Sequence, residues 1–72
     1  MKRTPISGSS TIAEAGYNSE TEVLEVMFSN GTVYQFHRVP EEVAAGLLSP
    51  WVGSAGQYFE RNIRHAFPYK KL

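Results

Sequence analysis

A basic segment with interleaved aromatic rings lies near the end of the 72-residue chain. Cationic side chains bind the phosphates of nucleic acids, and aromatic rings stack on unpaired bases. The segment is compatible with direct binding of RNA or single-stranded DNA, although the formal net charge of zero is far from the basic balance typical of such domains. A solvated helix face with a frayed tail is the competing interpretation. The candidate nucleic-acid-binding residues are Arg61, Arg64, His65, Lys70, Lys71 and Tyr69.

Other side chains suit a protein partner. Val23 and Met27 share the predicted outer face of a strand with Glu25, which would be unusual if that face met only water. Trp51 lies in a connection, where its ring either covers one end of the core or serves as an exposed anchor. Cover of the strand face by the N-terminal arm or the basic tail is the alternative. The candidate partner-binding residues are Trp51, Val23, Met27, Arg61 and Arg64.

Catalytic chemistry finds little support in the residue types. The chain has no Asp and no Cys, and its two histidines, His37 and His65, are widely separated for a zinc site. The segment Gly53-Ser54-Ala55-Gly56 lacks the spacing of a nucleophile elbow and the lysine of a phosphate-binding loop. We interpret Ser54 as a helix N-cap and rank phosphate binding or hydrolysis there as the least favoured function. We expect no enzyme, no catalytic residue, no metal and no cofactor.

Size and composition indicate one small domain. A chain of 72 residues has room for one core, and without cysteine its stability depends on packing of its Trp, four Phe and four Tyr. No apolar run approaches the roughly 18 residues of a membrane-spanning helix, and no signal-peptide core follows residues 1–5, so we expect a cytoplasmic protein.

Residues 13–42 carry six glutamates and one arginine, whereas both ends are basic, a distribution that suits an electrostatically steered interface.

Two helices are predicted in the second half of the chain. The first starts with Val39-Pro40-Glu41-Glu42, because proline and acids favour a first turn. Gly46 weakens this helix, and Ser49-Pro50 ends it. The second starts at Ser54, which has capping-box spacing to Gln57. Its apolar stripe at helical spacing consists of Ala55, Tyr58, Phe59, Ile63 and Ala66.

Three strands are predicted before the helices, at residues 10–17, 22–28 and 32–37. A three-residue loop at Ser29–Gly31, with Gly31 left-handed, pairs Val26 with Tyr34 and keeps the large apolar side chains on one face. A two-residue turn would instead place Gln35 in the core. We predict an α+β fold with a three-stranded antiparallel meander packed against two C-terminal helices. A flexible arm (1–8) precedes the single domain (9–67), and a basic tail (68–72) follows it.

Several short motifs, in this order and spacing, resemble the KTSC domain family, which is named after a C-terminal extension of some lysyl-tRNA synthetases. They are Ser9-Ser10-x-Ile12, Gly16-Tyr17, Leu24-x-Val26-x-Phe28 with Gly31, Tyr34-x-Phe36, Val39-Pro40, Val43, and Gly53-Ser54-x-Gly56-x-Tyr58-Phe59 with Ile63-Arg64. The resemblance covers nearly the whole chain and departs at Pro50, Trp51 and Ala55. The resemblance implies a small module of a β-hairpin and a helix. Such modules occur alone, including in phage-type genomes, or attached to larger proteins. The resemblance implies no catalytic activity.

The expected function is that of a non-enzymatic binding and regulatory module, bacterial or phage-type. We expect it to dock onto a protein of the transcription or translation machinery, for example RNA polymerase. The alternative is direct binding of RNA or single-stranded DNA through the basic C-terminal helix and tail.

Overall fold

A computed structural model of the chain describes residues 3–6, 11–48 and 55–72. Within these ranges, five strands form one antiparallel sheet in chain order, and two helices lie between the fourth and fifth strands. The strands are β1 (Thr4–Pro5), β2 (Ile12–Asn18), β3 (Val23–Phe28), β4 (Val33–Phe36) and β5 (Tyr69–Lys71), and the helices are α1 (Glu41–Leu48) and α2 (Ala55–Asn62). The predicted α+β class with two helices is confirmed.

The prediction of three strands was wrong, because the sheet has two more. The strand β1 lies in the segment predicted to be a flexible arm and pairs with β2, with Thr4 opposite Ala15. The strand β5 lies in the segment predicted to be a basic tail and pairs with β4, with Tyr69 opposite Phe36. Two or three residues are too few to show an alternating pattern, and these strands are defined by the backbone hydrogen bonds of the neighbouring strand.

The central hairpin between β3 and β4 has the predicted register. Leu24 lies opposite Phe36, and Val26 lies opposite Tyr34. Gly31 has a φ of 89°, a backbone conformation that glycine adopts without steric cost. The three-residue loop therefore places the large apolar side chains of both strands on the face that meets the helices.

The core lies between this sheet face and the two helices. Its buried residues are Ile12, Ala15, Leu24, Val26, Phe36, Val39, Ala44, Leu47, Ala55, Phe59 and Ile63. The predicted stripe of α2 is mostly confirmed, since Ala55, Phe59 and Ile63 are buried and Tyr58 is half-buried. Ala66 is exposed, contrary to the prediction, because α2 ends at Asn62 and the following residues turn away.

The two helices approach each other closely at Gly46. A Cβ atom built there would overlap the Tyr58 hydroxyl and lie 2.8 Å from Tyr58 Cε2. The Tyr58 hydroxyl also donates a hydrogen bond to the carbonyl of Val43 at 2.9 Å. The glycine that weakens α1 by its intrinsic propensity is thus required by the packing of α2.

The loop before α1 is held against the turn between β2 and β3. The Val39 N–H donates to the Glu22 carbonyl at 2.9 Å, and the Tyr17 hydroxyl donates to the Val39 carbonyl. Partial burial, followed by the carboxylates of Glu22 and Glu41, raises the pKa of Tyr17 above its usual value. The neutral phenol is therefore the form that the fold stabilises.

Candidate functional site

A groove of about 540 Å³ opens between α2 with its following turn and the helix-facing side of β3, β4 and β5. Aromatic side chains from all three strands and from α2 line it. These rings are Phe28, Tyr34, Phe36, Phe59 and Tyr69. Their centroids lie 5.3–6.3 Å from those of neighbouring rings, within the range of favourable edge and stacked contacts.

Strand alternation decides which side chains of β5 reach the groove. Successive side chains point to opposite faces of a sheet, so Tyr69 and Lys71 share the groove side and Lys70 lies on the other. Lys70 is opposite Gln35, whose Nε2 donates to Glu25 Oε1 at 2.9 Å on the face away from the helices. Two adjacent lysines therefore belong to two different surfaces.

The rim of the groove carries three basic side chains, Arg64, His65 and Lys71, and one acidic side chain, Glu60. Arg64 Nη1 lies 2.7 Å from Glu60 Oε1. The hydrogen bond that Arg64 donates to Glu60, and then the negative charge of the Glu60 carboxylate, raises the pKa of Arg64 above its usual value. Because three basic side chains face one carboxylate, the rim favours an anionic ligand.

Neutral polar groups also line the groove. They come from Thr11, before β2, and from the loop residues Ser29, Asn30 and Thr32. Asn30 Oδ1 accepts a hydrogen bond from the Thr32 N–H at 3.0 Å, so the side-chain oxygen of Asn30 shapes the loop and its amide nitrogen is the group that can meet a ligand. The groove thus combines aromatic, cationic and neutral hydrogen-bonding surfaces.

The candidate nucleic-acid-binding residues are partly brought together by this geometry. Four of them line the groove, namely Arg64, His65, Tyr69 and Lys71, whereas Arg61 and Lys70 do not. Sequence reasoning missed Tyr34 and Phe28, which it assigned to the core. The residue type of Tyr34 could have indicated its place in the groove, because the hydroxyl of a tyrosine favours a position at the edge of an apolar region.

The candidate partner-binding residues do not form one surface. Val23 and Met27 lie on β3 on the same side as Glu25, which is the sheet face away from the helices. Arg61 lies in α2, and Arg64 lies in the turn that follows it. Trp51 lies outside the described residues, as does Ser54 with its predicted capping role. The four described residues therefore lie on two separate surfaces.

The side chain of Arg3, just before β1, contacts two glutamates of β2 and β3 on the outer face. Arg3 Nε lies 3.4 Å from Glu14 Oε1 and 3.4 Å from Glu25 Oε2, and the Glu25 side chain is 13% exposed. Across the described ranges, the large hydrophobic side chains that remain exposed are Tyr69 and Leu72, at 58% and 60%. Exposed apolar area is thus found at the last residue, Leu72, and at Tyr69, which lines the groove.

The described ranges contain no cluster of three or more His, Cys, Asp or Glu side chains that could hold a metal ion. Neither α1 nor α2 is long and apolar enough to cross a membrane.

Comparisons with known proteins bear on the family. Residues 8–67 match the family model of the KTSC domain. A protein of Stutzerimonas stutzeri (strain A1501), described as uncharacterized, is 39% identical over 61 residues, which cover 85% of this chain and 82% of that protein. The crystal structure of a KTSC domain protein from Yersinia pestis is similar with a TM-score of 0.87 and 33% identity, covering 99% of this chain and 96% of that one.

Two larger proteins contain a similar segment. A lysine–tRNA ligase of Trichormus variabilis is 38% identical over 63 residues, and one of Nostoc punctiforme is 32% identical over 63 residues. Each match covers 88% of this chain and 11% of the ligase, so the chain corresponds to a small part of these enzymes. With the family model, the relatives and the crystal structure in agreement, this chain belongs to the KTSC domain family.

Proposed function

We propose that this chain is a non-enzymatic binding module whose groove holds a single-stranded segment of RNA or DNA. The observation that carries the proposal is the position of the exposed Tyr69 ring and the partly exposed Tyr34 ring in one groove with three basic side chains, those of Arg64, His65 and Lys71. Proteins that bind single strands combine cations that follow the backbone with rings on which bases stack. This is the function that the described geometry supports best.

The rings Tyr34 and Tyr69 offer the stacking surface. Their centroids are 5.3 Å apart, Tyr69 is 58% exposed and Tyr34 is partly exposed, so each retains surface for a base. Stacking of one base on such a ring contributes about 1–3 kcal/mol. A groove of about 540 Å³ is of the size of small-ligand sites, which suits a short unpaired stretch rather than a duplex.

The relatives support a role next to RNA. The similar segment lies within two proteins named lysine–tRNA ligase, an enzyme class that acts on tRNA. A module reused within such enzymes is consistent with work in the translation machinery, and hence in the cytoplasm. This support is an analogy from the domain's context, so the proposal depends mainly on the groove.

The test is a fluorescence anisotropy titration of the chain with labelled single-stranded RNA, single-stranded DNA and a duplex, at several salt concentrations. We expect single strands to bind better than the duplex. Lys71→Gln should weaken binding and lower the magnitude of the salt slope by about 0.7, the contribution of one phosphate contact on a single strand. Lys70→Gln is the matched control, because it removes the same charge from the next residue on the opposite sheet face.

Two outcomes would count against the groove. Equal effects of Lys70→Gln and Lys71→Gln would show diffuse attraction to the whole domain. Failure of the wild-type chain to bind any oligonucleotide, together with binding of an acidic peptide that depends on Lys71, would assign the groove to a protein ligand.

Docking onto a protein of the transcription or translation machinery is a second proposal. The observation that favours it is the partial exposure of Val23 and Met27 on the outer sheet face. We expect a tagged chain to recover one stoichiometric protein from a bacterial lysate treated with nuclease, and Met27→Lys to abolish the recovery. Recovery that vanishes with nuclease would contradict this second proposal and favour nucleic-acid binding.

A further inference from the structure

The ion pair on the groove rim occupies the cation that an anionic ligand would use. Glu60 lies four residues before Arg64, the spacing and order that favour side-chain pairs on a helical surface. Both side chains line the groove, and both are about half exposed, at 49% and 56%. An ion pair this exposed to water is weak and exchanges partners readily.

We infer that Glu60 is an internal competitor for Arg64, so that a nucleic-acid phosphate binds by replacing the Glu60 carboxylate. This inference rests on the proposed function, and it assigns Glu60 a role in specificity. A ligand with one isolated carboxylate would replace the Glu60 carboxylate beside Arg64 with an equivalent group. Its binding free energy would therefore gain little from Arg64. A phosphodiester chain also reaches His65 and Lys71, and therefore displaces Glu60 with a net gain.

The arrangement makes the groove selective for polyanions over single charges. It also protects Arg64 from nonspecific carboxylates, which are abundant on protein surfaces. Selection of this kind needs an element that disfavours the wrong ligand as well as attractive contacts with the right one, and Glu60 supplies that element by competing for Arg64.

The experiment compares Glu60→Gln with Glu20→Gln in titrations with the same labelled single strand. Glu20 is exposed in the turn at the opposite end of β3, so its replacement changes the net charge equally but lies beyond the range of unscreened interaction. We expect Glu60→Gln to tighten binding about two- to fivefold, the range expected from loss of an exposed pair, and Glu20→Gln to change it much less. Because Arg64 mediates the effect, Glu60→Gln should give no gain in an Arg64→Gln background.

The outcomes separate the inference from the proposed function. Equal affinities of Glu60→Gln and Glu20→Gln would overturn the inference, while Lys71-dependent binding would leave the proposed function intact. A gain from Glu60→Gln that persists without Arg64 would also overturn it, since Glu60 would then act by direct repulsion. Absence of binding by every variant and by the wild-type chain would overturn both.

Discussion

Gly46 provides a direct test of the helix packing on which the groove depends. In an ordinary helix, replacement of glycine by alanine stabilises by about 1 kcal/mol, because alanine has the better helix propensity. Here the added Cβ would overlap the hydroxyl oxygen and Cζ of Tyr58 and lie 2.8 Å from Cε2 of the same ring. The ring can make room only by leaving the Val43 carbonyl, to which it donates a hydrogen bond of 2.9 Å.

The magnitude follows from three contributions. Overpacking of a fitted contact costs about 1–3 kcal/mol. Loss of the hydrogen bond costs about 1 kcal/mol. The propensity gain of about 1 kcal/mol offsets part of this, so we expect Gly46→Ala to lower the free energy of unfolding by about 1–3 kcal/mol. For a domain of this size, each kcal/mol corresponds to about 4–8 °C in Tm.

The assay is urea unfolding followed by circular dichroism, with Ala45→Gly as the matched control. Ala45 is the exposed neighbour of Gly46 in α1, and its replacement should cost about 1 kcal/mol by propensity alone. If Gly46→Ala instead stabilises the chain by the amount that Ala45→Gly costs, propensity decides at both positions and the packing argument is refuted.

Two further predictions concern single residues. Tyr17→Phe should cost about 1 kcal/mol at neutral pH, since the Val39 carbonyl loses its donor. The pKa of Tyr17 is raised in the folded state, so its contribution to the free energy of unfolding is complete below the unfolded pKa of about 10 and is lost as pH rises above that value. Between pH 8 and 11 the free energy of unfolding should therefore fall more steeply for the wild type than for the variant. Gly31→Ala should destabilise by about 1 kcal/mol through backbone strain alone, because an added Cβ meets nothing within 4 Å, and Gly31→Asn should cost less in the same unfolding assay.

Sequence reasoning was most successful where side chains alternate over many residues. The β3–β4 register was predictable because one loop length keeps the large apolar side chains of both strands on one face, and the structure pairs Val26 with Tyr34 as expected. Most of the α2 stripe was predictable because its apolar residues recur at helical spacing. The end of the helix was not, because Ala66 fits the helical pattern although the chain has already turned.

The candidate site was less predictable, since it depends on long-range pairing of a three-residue strand. Nothing in Tyr69-Lys70-Lys71 reveals which lysine faces the helix side, and the answer depends on the pairing of Tyr69 with Phe36. Tyr34 was hidden for a similar reason, because a ring on the core face borders a groove only once β5 and α2 are in place. Local patterns therefore predicted the sheet and the helices, but not the surface that they create together.

The position of β5 couples ligand binding to the completion of the fold. Among the described strand pairs, β4 and β5 are joined by the longest connection, residues 37–68, so their pairing closes the largest loop and carries the greatest entropic cost. Hydrogen bonds from His37 to Pro68 and from Leu72 to Val33 hold the two ends of this strand.

Detachment of β5 is therefore one local opening that we expect, and it would remove Tyr69 and Lys71 from the groove. A ligand that needs both side chains binds only the closed population, and its apparent affinity falls in proportion to the open fraction. The same linkage makes the ligand a stabiliser of the last strand, so amide hydrogen exchange in residues 69–72 should slow on binding, while exchange in the β2–β3 hairpin stays nearly unchanged.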